Sequence, residues 1–246
     1  MRQKAVNVFV IKKREEGAGR MNLCWTVLTD GRKEYIEQCL PDWISWLDKT
    51  IDNKFIVDDS GDTEYRMWLS NTFPSFKIIP VSKDRSGYSL AMNKVLSTVR
   101  LSKNRYCLHT EDDFLLKRKF NIEDAINVLN NNINLSQISF MRYPWYHNEI
   151  ECGGLIQAIE RDNVDAIFEQ KNTNGIDWIQ HKSYWTCNPN IFPRWLTSYK
   201  WPSGDWSESR FSRQIFRYGK VAGIMGSRLD EPYVEHIGRH RSGTKY

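Results

Sequence analysis

From Leu23 to about residue 142 the chain alternates short β-prone runs with segments of helical periodicity, and this rhythm restricts the fold more than any other feature. The β-prone runs are Leu23–Thr29, Phe55–Val57, Lys77–Val81, the stretch that opens Arg105-Tyr106-Cys107-Leu108-His109, and Gln137–Arg142. Between them lie Lys33–Leu47, residues 63–72, a segment after Gly87 with Leu90, Ala91, Val95 and Leu96 along one side, and Asn121–Asn132. The last of these has an acidic first turn, as a helix dipole prefers. Pro41 is expected to break or kink the first helix. Strand–helix alternation on this scale predicts an α/β fold, a mainly parallel sheet with helices on both faces. In such sheets ligands sit beyond the carboxyl ends of the strands.

Three of the predicted strands end in polar, turn-forming clusters: Thr29-Asp30-Gly31-Arg32, Asp58-Asp59-Ser60-Gly61 and Glu111-Asp112-Asp113. The topology would bring all three to one edge. Three adjacent carboxylates repel one another, so a fold that ends a buried strand on them needs a counter-charge. A divalent metal carrying a diphosphate fits, because hard cations prefer carboxylate oxygens and share them with phosphates. The plain alternative for the triplet is a solvated acidic turn. For Asp58 and Asp59 it is capping of the next helix.

The 246 residues suffice for one large α/β domain with a substantial core. Residues 1–20 read as an appendage, one short strand and a polar, glycine-containing linker. Residues 21–246 read as one domain whose second half, from about 121, is less regular and holds most of the Trp. The 35 basic and 30 acidic residues give a net charge of +5, which permits an anionic partner without requiring one. Five scattered cysteines without a C-x-x-C pair argue for reduced thiols in a cytosol rather than a disulfide frame or a zinc site. No stretch approaches eighteen apolar residues, so neither a membrane span nor a membrane partner is expected, and the location expected is cytoplasmic.

Three motifs in order resemble the nucleotide-sugar glycosyltransferases of the GT-A fold, a Rossmann-like architecture, and in particular the family 2 group. Val57-Asp58-Asp59-Ser60-Gly61-Asp62 is similar to that group's V-D-D-G-S-x-D, with Gly and Ser exchanged. Arg85-x-Gly87-x-x-x-Ala91-x-Asn93 resembles its N-x-G-x-x-x-A-R-N loop and helix, with Arg85 and Met92 departing from the pattern. Leu108-His109-Thr110-Glu111-Asp112-Asp113 resembles the strand that runs into the D-x-D motif. The match covers roughly residues 23–116. Further on, Trp206-Ser207-Glu208 before a helix ending at Gly219 looks like the segment holding the catalytic carboxylate. His236-Ile237-Gly238 resembles the late metal-binding histidine.

The resemblance implies a donor half (21–120) and an acceptor half (121–246). It implies that Thr29, Arg32, Asp58, Asp59, Arg85, Gly87, Asn93, Glu111 and Asp112 bind a nucleoside-diphosphate sugar, most often UDP-linked. Arg239 and Arg241 would clamp its diphosphate, since Arg suits bidentate contact. Asp113 and His236 would hold Mn²⁺ or Mg²⁺, the imidazole favouring Mn²⁺. Glu208 would be the general base of an inverting displacement, with Asp205 as its rival. Trp145, Tyr146, Trp185 and Trp206 are candidate walls of the acceptor pocket, with core packing the alternative. The acceptor itself stays open between a glycan, a small molecule and a hydroxylated base in DNA. The last is suggested by the basic clusters Lys117-Arg118-Lys119 and Arg239-His240-Arg241. A nucleotidyltransferase is a competing class, although Thr29-Asp30-Gly31-Arg32 is a poor version of its glycine- and cation-rich loop. A non-catalytic nucleotide- or DNA-binding protein is another.

Overall fold

The computed structural model describes residues 22–47, 50–51 and 53–238. The appendage at 1–20 and the two arginines Arg239 and Arg241 lie outside the described residues. The first half follows the expected rhythm: β1 (Leu23–Thr29), α1 (Lys33–Leu47), β2 (Asn53–Asp58), α2 (Thr63–Thr72), β3 (Lys77–Pro80), α3 (Tyr88–Ser102) and β4 (Tyr106–Glu111). After it come β5 (Phe114–Leu116), α4 (Ile122–Asn131), β6 (Leu135–Ser139), α5 (His147–Cys152), α6 (Leu155–Asp162), β7 (Phe168–Thr173), β8 (Ile176–His181) and β9 (Asn190–Pro193). A 3-10 turn at Arg194–Ser198, α7 (Ser207–Arg217), β10 (Val221–Met225) and β11 (Val234–His236) are the last elements among the described residues.

Among the described residues nine strands form one sheet in the order β3-β2-β1-β4-β9-β6-β10-β8-β7. Strands β3, β2, β1 and β4 are parallel throughout; β9 and β8 run against the rest. The sheet takes strands from both halves of the chain. A second sheet joins β5 to β11, antiparallel, with His236 opposite Phe114.

Alternation along β1 divides the core. Leu23, Trp25 and Val27 face α1 and α4 through Ile36, Leu40, Trp43, Ala125 and Val128. Cys24 and Leu28 face α3 and α7 through Met92, Val95, Phe211 and Ile215. Each fully buried side chain of Leu or Phe size stabilises the fold by roughly 1.5–3 kcal/mol. Burial also explains Pro41. Helix α1 runs through it because Ile36, Cys39, Leu40, Trp43 and Leu47 anchor one face, while Pro41 and Glu37 lie on the exposed face. The carbonyl of Glu37, which loses its helical donor, meets water there.

Asp58 and Asp59 do not cap α2; Asp62 does, accepting from Glu64 N and Tyr65 N at 2.8 and 3.2 Å. Gly61 sits between them with φ +73°, where a Cβ would lie 2.7 Å from Arg85 N and 3.0 Å from the Asp84 carbonyl carbon. Both obstacles are backbone. Gly61→Ala is therefore expected to destabilise the protein by about 2 kcal/mol or more, since the left-handed conformation alone costs roughly 1–2 kcal/mol. Urea unfolding measures it, and a loss under about 0.5 kcal/mol would mean the 82–87 loop gives way freely.

Candidate active site

The ends of β1, β2 and β4 meet, as their turn clusters predict. Thr29, Asp30, Arg32, Asp59 and Glu111 line one depression at this edge. Arg32 is its electrostatic centre. It donates to Asp113 Oδ2 at 2.6 Å, forms a short contact with Asp112 Oδ1, and lies 2.9 Å from Asp30 through Nε. Thr29 Oγ1 donates to Asp112 Oδ2 at 2.7 Å and lies 2.9 Å from the Tyr65 hydroxyl. Burial pushes Asp112 up to about 7, although the Arg32 charge opposes the shift. Asp59 takes the amides of Ser86 and Gly87 at 2.9 and 2.7 Å, so it fixes the loop that opens α3. Asp58 turns inward to Ser60 and Arg66, the latter at 2.7 Å. Arg85 pairs with Asp30.

The small sheet brings the late histidine to the triplet. Ile237 N donates to the Asp113 carbonyl at 3.0 Å, and His236 Nε2 lies 3.2 Å from Asp113 Oδ2. The ring of Phe114 stacks on His236 at 4.6 Å, and Trp145 lies 4.0 Å away on tilted planes. Burial works against ionising Asp113, but the hydrogen bond from His236 and the Arg32 charge outweigh it and hold this carboxylate below its ordinary range. Its second oxygen, Oδ1, is buried and has no hydrogen-bond partner. An ionised carboxylate with a vacant buried oxygen, beside an imidazole, suits a hard-to-borderline divalent cation. Mn²⁺ or Mg²⁺ therefore fits Asp113 and His236. Gly238 closes over both, since a Cβ there would lie 2.2 Å from Asp113 Oδ2 and 2.7 Å from His236 Nε2. Gly238→Ala is expected to weaken Mn²⁺ binding at least about 10-fold by displacing one group or the other, the scale seen when ligand support is lost. Calorimetric titration with Mn²⁺ checks this, and wild-type affinity in the variant would remove the cation from this position.

Beside the triplet opens a cleft of about 1250 Å³. Glu111, Trp145, Tyr146, Trp206, Glu208 and His236 all line it. Glu208 stands in the first turn of α7 and accepts from Cys187 N at 3.0 Å. Burial raises its pKa, against the opposing Cys187 amide and Thr186 hydroxyl. Burial, and then the charges of Asp113 and Glu208, push Glu111 well above the usual carboxylate range; Tyr88 donates to it at 3.1 Å. Trp145 and Tyr146 are held by Glu149, which accepts from both backbone amides at 2.9 and 3.2 Å and is clamped by Arg142 at 2.6 and 2.7 Å. Trp206, 80 % exposed, precedes α7 in the left-handed conformation.

Two sequence-derived assignments take a different place. The Asn93 side chain bonds the Ser89 carbonyl and both backbone groups of Trp201, so it ties α3 to the loop at Trp201 instead of facing a ligand. Trp185 touches the cleft only from behind, fully buried against Trp201 and Phe211. Of the basic triplet at 117–119, Lys117 pairs with Glu235 at 3.0 Å and Arg118 lies 4.0 Å above the Tyr233 ring. Tyr88 and Cys187 give no sequence signal of a site, because each acts through a partner more than twenty positions away, Glu111 and Glu208; the Arg142–Glu149 pair is closer in the chain but matches no motif.

No family model matches the sequence, and no curated protein matches it. Solved structures do. The mannosyltransferase PcManGT from Pyrobaculum calidifontis, in complex with GDP-Man and Mn²⁺, superposes with a TM-score of 0.56 at 15 % identity, covering 86 % of this chain and 56 % of that one. S. aureus TarS 1–349 in complex with UDP-GlcNAc gives 0.58 at 12 % identity, covering 90 % and 60 %. The same TarS fragment in a second structure gives 0.57 at 14 % identity, covering 88 % and 60 %. The chain thus spans under two thirds of the length of these neighbours, and shares with them the GT-A fold. Among the described residues no helix is long and apolar enough to cross a membrane.

Proposed function

We propose that the protein is a metal-dependent, inverting glycosyltransferase that moves a sugar from a nucleoside-diphosphate donor of the UDP class to an acceptor hydroxyl. One observation carries the reading. Glu111, the first of the acidic triplet, lines both the depression that holds Thr29, Arg32 and Asp59 and the cleft that holds His236, Glu208 and the aromatics Trp145, Tyr146 and Trp206. Neighbours of the same fold bind GDP-Man with Mn²⁺ and UDP-GlcNAc, which supports a nucleotide-sugar donor.

The residues divide the work. Thr29, Arg32 and Asp59 flank the nucleoside end, with Asp59 and Gly87 setting the shape of its loop. Asp113 and His236 hold the divalent cation, which when bound neutralises charge on the leaving diphosphate as a Lewis acid. Glu208 takes the proton of the attacking hydroxyl. A carboxylate that takes the proton as the hydroxyl attacks fits a single displacement with inversion. Burial, and then the charges of Asp113 and Glu208, disfavour the ionised form of Glu111 in the cleft. Trp145, Tyr146 and Trp206 offer faces for a sugar ring. The acceptor proposed is a glycan or small molecule; the pairing of Lys117 with Glu235 and the seat of Arg118 on the Tyr233 ring support it over DNA.

The test is a panel of nucleotide sugars with Mn²⁺ or Mg²⁺, read by release of nucleoside diphosphate. Saccharides and hydroxymethylated DNA serve as acceptors, and products are weighed by mass spectrometry. Release with a hexose-sized gain on a saccharide supports the reading. A gain on DNA alone moves the acceptor to nucleic acid. Release of pyrophosphate in place of nucleoside diphosphate would make the enzyme a nucleotidyltransferase.

A further inference from the structure

Beneath the cleft, on the α3 face of the sheet, a second cluster of ligating groups lies apart from Asp113 and His236. A ring nitrogen of His109, a carboxylate oxygen of Glu111 and Sγ of Cys187 all lie within 4.8 Å of one another. His109 is fully buried on β4, and its Nδ1 lies 3.0 Å from Thr26 Oγ1. Its Nε2 is buried with no hydrogen-bond partner. An uncharged imidazole nitrogen in that position is costly unless something accepts its lone pair or proton. From these residues the geometry points to a second metal site, one that takes a borderline-soft divalent cation of the zinc class.

Chemistry separates this site from the first. One sulfur, one nitrogen and one oxygen match zinc, whereas Mn²⁺ and Mg²⁺ prefer sites without thiolate. Around a tetrahedral zinc the ligand atoms stand roughly 3.3–3.8 Å apart, from bond lengths of about 2.0–2.3 Å, so the cluster needs to contract by no more than about 1.5 Å. The supporting contacts are already in place. With Nδ1–H donating to Thr26 Oγ1, Nε2 carries the lone pair that a metal needs. The Tyr88 hydroxyl donates to Glu111 Oε1 at 3.1 Å and orients that carboxylate. On binding, the Cys187 thiol and, where it holds one, the Glu111 carboxyl give up their protons to solvent as the sulfur and a carboxylate oxygen bond the ion; no electrons are transferred. Three protein ligands leave one position open, and Glu111 and Cys187 both border the cleft. The ion would also pin the end of β4 to the loop whose Cys187 amide holds Glu208. This inference does not depend on sugar transfer.

The experiment uses the full chain, stripped with chelator and titrated with Zn²⁺ and Co²⁺. One equivalent of zinc is expected, and Co²⁺ should give a near-ultraviolet thiolate-to-cobalt band. Cys187→Ser should lose that band and bind zinc at least about 10-fold more weakly. Asp113→Asn, which removes the hard-cation position, should keep the band. Zinc-edge X-ray absorption on the wild type gives an answer that no variant's folding can disturb: one sulfur among nitrogen and oxygen ligands. A shell without sulfur, a stoichiometry near zero, or a band that survives Cys187→Ser would each overturn the site.

Discussion

Asp113→Asn is expected to fold as the wild type does and to bind Mn²⁺, and the nucleotide-sugar that depends on it, at least about 100-fold more weakly. Losing a group that only supports a metal ligand costs about 10–100-fold in metal affinity, and Asp113 is placed as a direct ligand. Folding should survive because the substitution is isosteric and the local cation keeps its other partners: Arg32 still meets Asp30 and Asp112. What disappears is the ionised carboxylate whose free oxygen is the open coordination position. An amide oxygen is a far weaker partner for a divalent cation, and the amide nitrogen beside it repels one. Calorimetry with Mn²⁺, then with donor in saturating Mn²⁺, measures both losses. Donor binding equal to wild type would place the metal elsewhere or leave Arg32 as the sole counter-charge of the diphosphate.

Arg32 is where sequence and structure differ most usefully. The acidic triplet advertises a need for positive charge, and the sequence reading answers it with a metal. In the fold the first answer is Arg32, delivered by the turn after β1 from about 80 positions earlier in the chain. The three strand-end clusters were legible because their signals are local: a β-prone run, a turn-forming tail and a helical period after it. The β5–β11 pair was not, since Val234–His236 is three residues long and meets its partner strand more than a hundred positions away. The β7–β8 hairpin was equally silent, its strand β7 being mostly exposed and polar, Phe168-Glu169-Gln170-Lys171-Asn172-Thr173. Pattern and composition cannot tell Asn93 facing a ligand from Asn93 bonded to the Trp201 backbone, nor a Trp185 that lines a cleft from one sealed behind it. Those distinctions live in tertiary contacts. His236 was legible only through resemblance, and Gly238, which closes over it, follows from the same short segment.

Glu208→Gln is expected to leave donor and Mn²⁺ binding intact, to lower kcat by about 10²–10⁴-fold, and to make the folded protein more stable at neutral pH. The kinetic loss is that of a general base. Gln keeps the size of the side chain and an oxygen that accepts from Cys187 N, so the loop before β9 should hold its place. The stability gain follows from the sign of the pKa shift. Burial raises Glu208 above its ordinary value, so between the unfolded and folded pKa the native state holds a proton that the unfolded state has lost. Stability therefore falls as pH rises through the folded pKa, and above it the buried charge works against the fold. Removing the charge should raise the unfolding midpoint near pH 8 and leave it unchanged below about pH 4, where Glu is protonated in both states. The acidic limb of the wild-type kcat profile should sit above the ordinary carboxylate range for the same reason, and should vanish in the variant. A merely structural glutamate would show the stability change without the kinetic one. If Glu208→Gln turns over normally while Asp205→Asn does not, the base is Asp205, which borders the same cleft three residues earlier.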